Sequence, residues 1–225
     1  MTLQKKDFIE IEFTAKVKNT NEIFDSNVKE DLKKANLNLA SEPKPLIFSL
    51  DEGMFLKGVD DSLIGKPSSP ASYEFELAPE KAFGSRNSKL VQIIPTKIFR
   101  EQKLSPIPGM MFNFDGRVAK VLSVSGGRVI ADFNNPIAGK TVVYKIRVLR
   151  KISDIREKAK AFIDFLFRRN LNFEIKDKKI IIKTEENMVK FIELFKDKFK
   201  EVLDLDLEVA KEKKQEEEKD AAEEK

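Results

Sequence analysis

The feature that most restricts this chain is a two-residue period of apolar side chains that recurs at distant places. Ile9, Ile11, Phe13, Ala15 and Val17 alternate with other residues, as do Tyr73, Phe75 and Leu77, and Val142, Tyr144, Ile146 and Val148. Successive side chains of a strand point to opposite faces, so each run predicts a strand with one buried face. Leu46, Phe48 and Leu50 add a fourth, which ends at Asp51-Glu52-Gly53. A short helix is expected from about Met54 to Ile64, stopped by Gly65 and Pro67.

Two stretches break this pattern. Residues 85–131 read as a small unit of their own, with apolar pieces at Val91, Ile93-Ile94, Ile98-Phe99 and Met110 to Phe114. Asp115-Gly116 and Gly126-Gly127 are hairpin turn pairs, so strands are expected at about 110–115, 117–124 and 128–133. From Ser153 the period changes to three and four. Ile155, Ala159, Phe162 and Leu166 predict a helix capped by Ser153, and Met188, Ile192, Phe195, Phe199 and Val202 predict a second. A hairpin from Phe173 to Ile182 lies between them, and Leu203, Leu205, Leu207 and Val209 predict a last strand. Residues 211–225 are almost wholly charged and cannot build a core. The expected class is α+β. The expected domains are a discontinuous one over 1–84 and 132–152, an insert over 85–131, an α+β unit over 153–210 and a charged tail over 211–225.

Composition narrows the chemistry. The 225 residues include no Cys and no His. Disulfides, thiolate nucleophiles, imidazole bases and the commonest metal ligands are therefore excluded. Lys and Arg number 42 against 38 Asp and Glu, a net charge of +4. These charges are interspersed, with no basic run interleaved with stacking groups, which argues against nucleic acid as the main partner. The first residues lack a signal-peptide core and no window reaches a membrane span, so a cytoplasmic location is expected.

Several ordered motifs resemble those of the FKBP-type peptidyl-prolyl cis/trans isomerases. Ile11-Glu12-Phe13-Thr14-Ala15, Ile23-Phe24-Asp25-Ser26, Phe55-Leu56-Lys57-Gly58-Val59-Asp60-Asp61 and Ala82-Phe83-Gly84 follow one another as the family's strand, Phe-Asp-Ser, helix-opening and Ala-Tyr-Gly motifs do. Tyr144 resembles the aromatic of the closing strand. Leu90 to Pro95, Gly109 to Phe112 and Asp132 to Gly139 resemble the SlyD-like and archaeal members, which carry an insert-in-flap domain. The resemblance covers residues 7–152 well. Residues 153–211 match the extra domain of the long archaeal subclass more weakly.

The resemblance implies a fold built on an antiparallel curved half-barrel sheet with one short helix. It implies a proline pocket made of Phe13, Phe24, Leu46, Phe55, Leu56, Val59, Phe83 and Tyr144, with Asp25 as its polar orienter. No cofactor and no metal are implied, because the His/Cys-rich tail of some SlyD-like relatives is replaced here by Lys and Glu. The expected partners are unfolded or nascent proline-containing polypeptides. Ile93, Ile94, Ile98, Phe99, Met110, Met111 and Phe112 are the expected client-binding residues of the insert, the alternative being that they form its small core. The long archaeal subclass also implies a homodimer through the C-terminal unit. The sequence departs from the family at Phe13 and Phe83, where Tyr is usual, at Ala15, where Gly is usual, and at Asn135, where His is frequent. Two ring hydroxyls are missing and Asp25 loses its expected Tyr partner. A catalytically weak holdase, binding unfolded chains with a vestigial pocket, is the alternative reading. A ribosome-associated factor is a further rival.

Overall fold

The structure, a computed structural model, describes residues 2–37, 42–68, 70–114 and 116–211. In chain order it runs β1 (Phe8–Val17), β2 (Ile23–Ser26), α1 (Lys29–Lys34), β3 (Leu46–Ser49), α2 (Lys57–Leu63) and β4 (Ala71–Leu77). Two 3-10 turns, Pro79–Lys81 and Ser88–Leu90, lead to β5 (Val91–Pro95), α3 (Thr96–Glu101), β6 (Met111–Phe114), β7 (Arg117–Ser125) and β8 (Arg128–Asp132). Then follow β9 (Val142–Lys151), α4 (Ile155–Phe167), β10 (Asn172–Lys176), β11 (Lys179–Thr184), α5 (Glu186–Glu193), α6 (Lys196–Leu203) and β12 (Asp206–Lys211). The class is α+β.

The strands form three sheets. The first has the order β2-β1-β9-β4, with β3 also pairing to β1, and every pairing is antiparallel. Its apolar face is the alternating set of the sequence: Ile9, Ile11, Phe13 and Ala15 of β1 share one core with Val142, Tyr144, Ile146 and Val148 of β9 and with Val59 and Leu63 of α2. The second sheet, β5-β8-β7-β6, lies wholly within the insert. Gly126 and Gly127, both at positive φ, make its β7–β8 turn, a conformation that costs a β-carbon-bearing residue dearly. Of the other expected turn pair, Asp115 lies outside the described residues, as does the tail beyond residue 211.

The third sheet has the order β10-β11-β12, with β12 parallel to β11. Helices α4, α5 and α6 supply the rest of its core. Three local expectations change here. The cap of α4 is Asp154, not Ser153: its carboxylate accepts the N–H groups of Arg156 and Glu157 at 2.6 and 3.1 Å. The second helix is two helices, because residues 194–195 tighten into a turn in which the N–H of Phe195 reaches the carbonyl of Ile192. The apolar stripe continues through that joint, which is why periodicity does not show it. Leu203 closes α6 and lies outside the last strand.

The third core also takes in Phe8 of β1, Ile47 of β3 and Met54. These residues sit on the side of the first sheet opposite Ile9, Ile11 and Phe48, so the C-terminal unit is packed against its outer face. Met54 touches both cores. Among the described residues no helix is long and apolar enough to cross a membrane.

Candidate functional site

The eight expected pocket residues all fall in or against the core of the first sheet. Phe13, Val59 and Tyr144 are buried, while Phe24, Leu46, Phe55, Leu56 and Phe83 are half-buried around them. Rings make most of the contacts. Phe55 lies edge-on to Phe13 at 5.2 Å between centroids and to Tyr144 at 6.0 Å, and it tilts against Phe48 at 5.1 Å. Phe24 meets Phe83 at 5.6 Å and Tyr144 at 6.2 Å, again edge to face. Such arrangements contribute about 0.5–1.5 kcal/mol per pair beyond area burial. The result is a dry floor with a partly open aromatic rim, supplied by β1, β2, β9, the segment before α2 and the loop after β4.

Register explains how Asp25, the expected polar orienter, comes beside this cluster. Ala15 is paired with Asp25 across the β1–β2 ladder and with Tyr144 across the β1–β9 ladder. Cross-strand partners share a face, so these three side chains stand in one row with the smallest in the middle. Burial pushes the Tyr144 hydroxyl up and the nearby Asp25 charge adds to the effect, so the phenol stays protonated. Loss of water around Asp25 raises its carboxyl as well, against a hydrogen bond from the backbone of Ser26. The hydroxyl missing from Phe13 and Phe83 is thus present in the cluster on Tyr144, beside Asp25.

Two close backbone approaches hold the cluster. Gly58 of α2 faces the loop after β4 so tightly that a Cβ there would stand 2.2 Å from the carbonyl oxygen of Lys81. That approach brings Val59 and Phe83, on either side of the contact, into one core. Leu56 precedes α2, and its carbonyl accepts the N–H groups of Val59 and Asp60 at 2.8 and 3.1 Å. Its own N–H has no hydrogen-bond partner among the described residues.

Three polar residues around the cluster make contacts that the sequence does not show. Asn27 fills a gap in the sheet. On its outer edge β1 pairs with β3 over Phe8–Ile11 and with β2 over Thr14–Lys16, leaving Phe13 without a strand partner there. The Asn27 side-chain oxygen accepts the Phe13 N–H at 2.7 Å and the Asn27 N–H donates to the Phe13 carbonyl at 3.1 Å. Its amide nitrogen donates to the carbonyls of Ile11 and Lys44 at 3.0 and 3.2 Å. One residue therefore replaces a missing strand and ties together the segments carrying Phe13, Phe24 and Leu46.

Glu52, its side chain almost buried, lies between Lys6 at 4.0 Å and Lys198 of α6 at 3.4 Å. With Glu201 this makes a four-charge square that joins the loop before Phe55 to the C-terminal unit. Asp60 of α2 is buried and accepts the Asp51 N–H at 3.2 Å through one oxygen. The other oxygen is buried without a partner among the described residues. Burial pushes this carboxyl up to about 7.

The insert divides its seven expected client-binding residues. Ile93, Ile98, Met110 and Met111 are exposed. Phe99 follows the alternative reading: it is fully buried in the insert's core with Val121 and Val129, and the half-buried Ile94 and Phe112 pack against it. The reason is α3, which lays Phe99 over the sheet against Phe112 at 5.3 Å and Phe114 at 5.5 Å. Ile107, Val118 and Leu122 are exposed without having been singled out. In the C-terminal unit Phe191 and Leu194 are exposed, while Phe167 is buried against Phe191 and Phe195.

Comparison with known proteins bears on both regions. Residues 92–137 match a family model described as "FKBP26, IF domain". The chain is 26% identical over 147 residues to the "Short-type peptidyl-prolyl cis-trans isomerase" of Methanocaldococcus jannaschii, covering 65% of this chain and 92% of that protein. It is 31% identical over 108 residues to the "Probable FKBP-type 16 kDa peptidyl-prolyl cis-trans isomerase" of Pseudomonas fluorescens, covering 47% of this chain and 71% of that one. It is 24% identical over 149 residues to the "FKBP-type peptidyl-prolyl cis-trans isomerase SlyD" of Helicobacter pylori, covering 64% and 73%.

Proposed function

This chain belongs to the FKBP-type peptidyl-prolyl cis-trans isomerases and is an enzyme of that type; from that premise we propose that the aromatic cluster of its first sheet is where X–Pro bonds of unfolded proteins are turned. The reading is carried by the ring contacts that gather Phe13, Phe24, Phe55, Phe83 and Tyr144 around one half-open floor.

The chemistry asks for no acid, base or nucleophile. The barrier to X–Pro rotation, about 18–20 kcal/mol, is the loss of amide resonance. At its top the amide is twisted and less dipolar than in either planar form. A floor of Phe, Val and Leu side chains solvates that twisted form better, relative to the planar ones, than water does, and selective binding of it lowers the barrier. We assign the free N–H of Leu56 to hold a substrate carbonyl, with Asp25 as the polar orienter. The test is a protease-coupled assay on a short proline peptide. Phe55→Ala is expected to lower kcat/KM at least about tenfold; a variant as fast as the wild type would overturn the assignment.

We propose further that the insert holds unfolded chain. Its exposed Ile93, Ile98, Met110 and Met111 form apolar surface with flexible thioethers, which suits varied clients. Replacing Ile93 and Met111 by Ser is expected to weaken suppression of aggregation while leaving peptide isomerisation intact. A second copy of the chain is proposed to meet the exposed Phe191 and Leu194 of the C-terminal unit. Light scattering on the wild type and on Leu194→Glu tests that contact, and a monomer in both removes it.

A further inference from the structure

We propose that the insert selects unfolded segments in which acidic residues flank an apolar run. This deepens the reading of the insert as a client-binding surface and rests on it.

The first observation is an uneven distribution of charge. Of the chain's 42 basic and 38 acidic residues, the stretch 85–131 holds eight and two. The insert is strongly cationic, and the rest of the chain is slightly anionic. A surface cation is ordinarily no more than a solvated side chain, so its surroundings decide what it means.

Ladder register decides this for two of them. On the sheet face opposite Phe99, Met111 stands beside Lys120, and Arg128 stands between Pro95 and Ser125. Ile93 and Ile130 are paired on the same face, as are Asn113 and Val118. This face is open: Ile93 is 64% exposed, Val118 51% and Met111 49%. Lys120 and Arg128 have no ion pair among the described residues. The acid that shares the face, Asp132, is the cross-strand partner of Lys120, but its carboxylate is engaged by Arg86 at 2.7 and 3.0 Å and by Asn134 at 2.6 and 2.9 Å and makes no ion pair with Lys120. Arg117, at the edge of the same strand as Lys120, is spent on the ring of Phe133.

An apolar face with two uncompensated cations at its margins disfavours cationic clients and suits an apolar stretch bordered by carboxylates. Charge pairs in this geometry are exposed and screened by salt, so they select among clients while apolar contact supplies most of the hold. An apolar, proline-free occupant is also independent of the isomerase cluster.

The test uses the full chain and two labelled, proline-free peptides that share one apolar run, one flanked by Glu and one by Lys. Fluorescence anisotropy is expected to show the Glu-flanked peptide binding about tenfold more tightly at low salt, with the gap closing as salt rises. Lys120→Glu with Arg128→Glu, both exposed and outside the isomerase cluster, is expected to abolish or reverse the preference without changing the isomerisation rate of a short peptide. Equal binding of the two peptides, or a preference for Lys, overturns the inference and leaves the client-binding reading standing. No binding of either peptide overturns both. A single-stranded oligonucleotide that binds more tightly than the Glu-flanked peptide, and is lost with the same double variant, makes the face a nucleic-acid surface and also overturns the inference.

Discussion

Around β1 and β9 the first core buries fourteen side chains, whereas the insert buries Phe99, Ala119, Val121, Val129 and Ala131 and leaves Ile93, Met111 and Val118 in water. Both regions are rich in apolar residues, and the difference lies in what covers them. The first sheet has α2 and the loop after β4 on one face and the C-terminal unit on part of the other. The insert has only the six residues of α3 on one face of its sheet. A small unit cannot bury all the apolar surface it carries. The first region therefore fixes its side chains in a packed core, and the second leaves apolar side chains in water.

The most severe way to break this contrast is at Phe99. Removing a buried Phe costs about 3–5 kcal/mol, which a core of five buried residues, two of them Ala, cannot absorb. Phe99→Ala is expected to unfold the insert alone, giving a calorimetric trace with a separate low-temperature transition and unchanged isomerisation of a short peptide. A single transition would show that the two regions fold as one.

The second prediction concerns the buried acid under the first core. The Asp60 carboxyl, raised from 3.8 to about 7, keeps its proton when folded over a range in which the unfolded chain has lost it. Folding stability therefore falls as pH rises from about 4 to about 7. Asp60→Asn, which keeps an acceptor for the Asp51 N–H, is expected to remove that slope and to stabilise the fold at pH 8 by at most about 4 kcal/mol, less the cost of burying its unpaired amide NH2. Denaturant titrations at several pH values measure it, and parallel slopes in the two proteins would refute the assignment.

Asn27 gives a smaller and more local effect. Asn27→Ala removes three hydrogen bonds at the gap beside Phe13, for a stability loss of about 1–3 kcal/mol. It is also expected to lower kcat/KM on a short peptide well below the melting temperature, with Asn27→Asp, which keeps the acceptor, restoring part of it. Unchanged kinetics would leave Asn27 a purely structural residue. The smallest effect is expected for Ile93→Ser, which should alter stability by less than about 0.5 kcal/mol and yet weaken client binding.

The sequence pattern exposes the first region more fully than the others. Alternation in β1, β4 and β9 marks three strands of the sheet and the core face of each, because one face is covered and the other is largely wet. It is silent where both faces are covered: Phe8 and Ile47 stand out of phase with their neighbours, and that mismatch is the trace left by the C-terminal unit. The Gly126-Gly127 turn is legible because few other residues adopt its backbone. The contacts of Asn27, Glu52 and Asp60 are not, since a polar residue in a loop or short helix reads the same whether it meets water or bridges strands. Phe99 is indistinguishable in sequence from Ile93, and only the placement of α3 separates them.

The position of β9 has a consequence for the protein's own birth. This strand lies between β1 and β4 and is the last of the first sheet to leave the ribosome; its Arg147 meets Glu12 across 135 residues. Until it arrives, β1 and β4 have no shared neighbour and the edges that face it are unpaired. Contacts that distant in sequence slow folding. A nascent copy must therefore wait, sticky and incomplete, in the same condition as the chains that the finished molecule is proposed to tend.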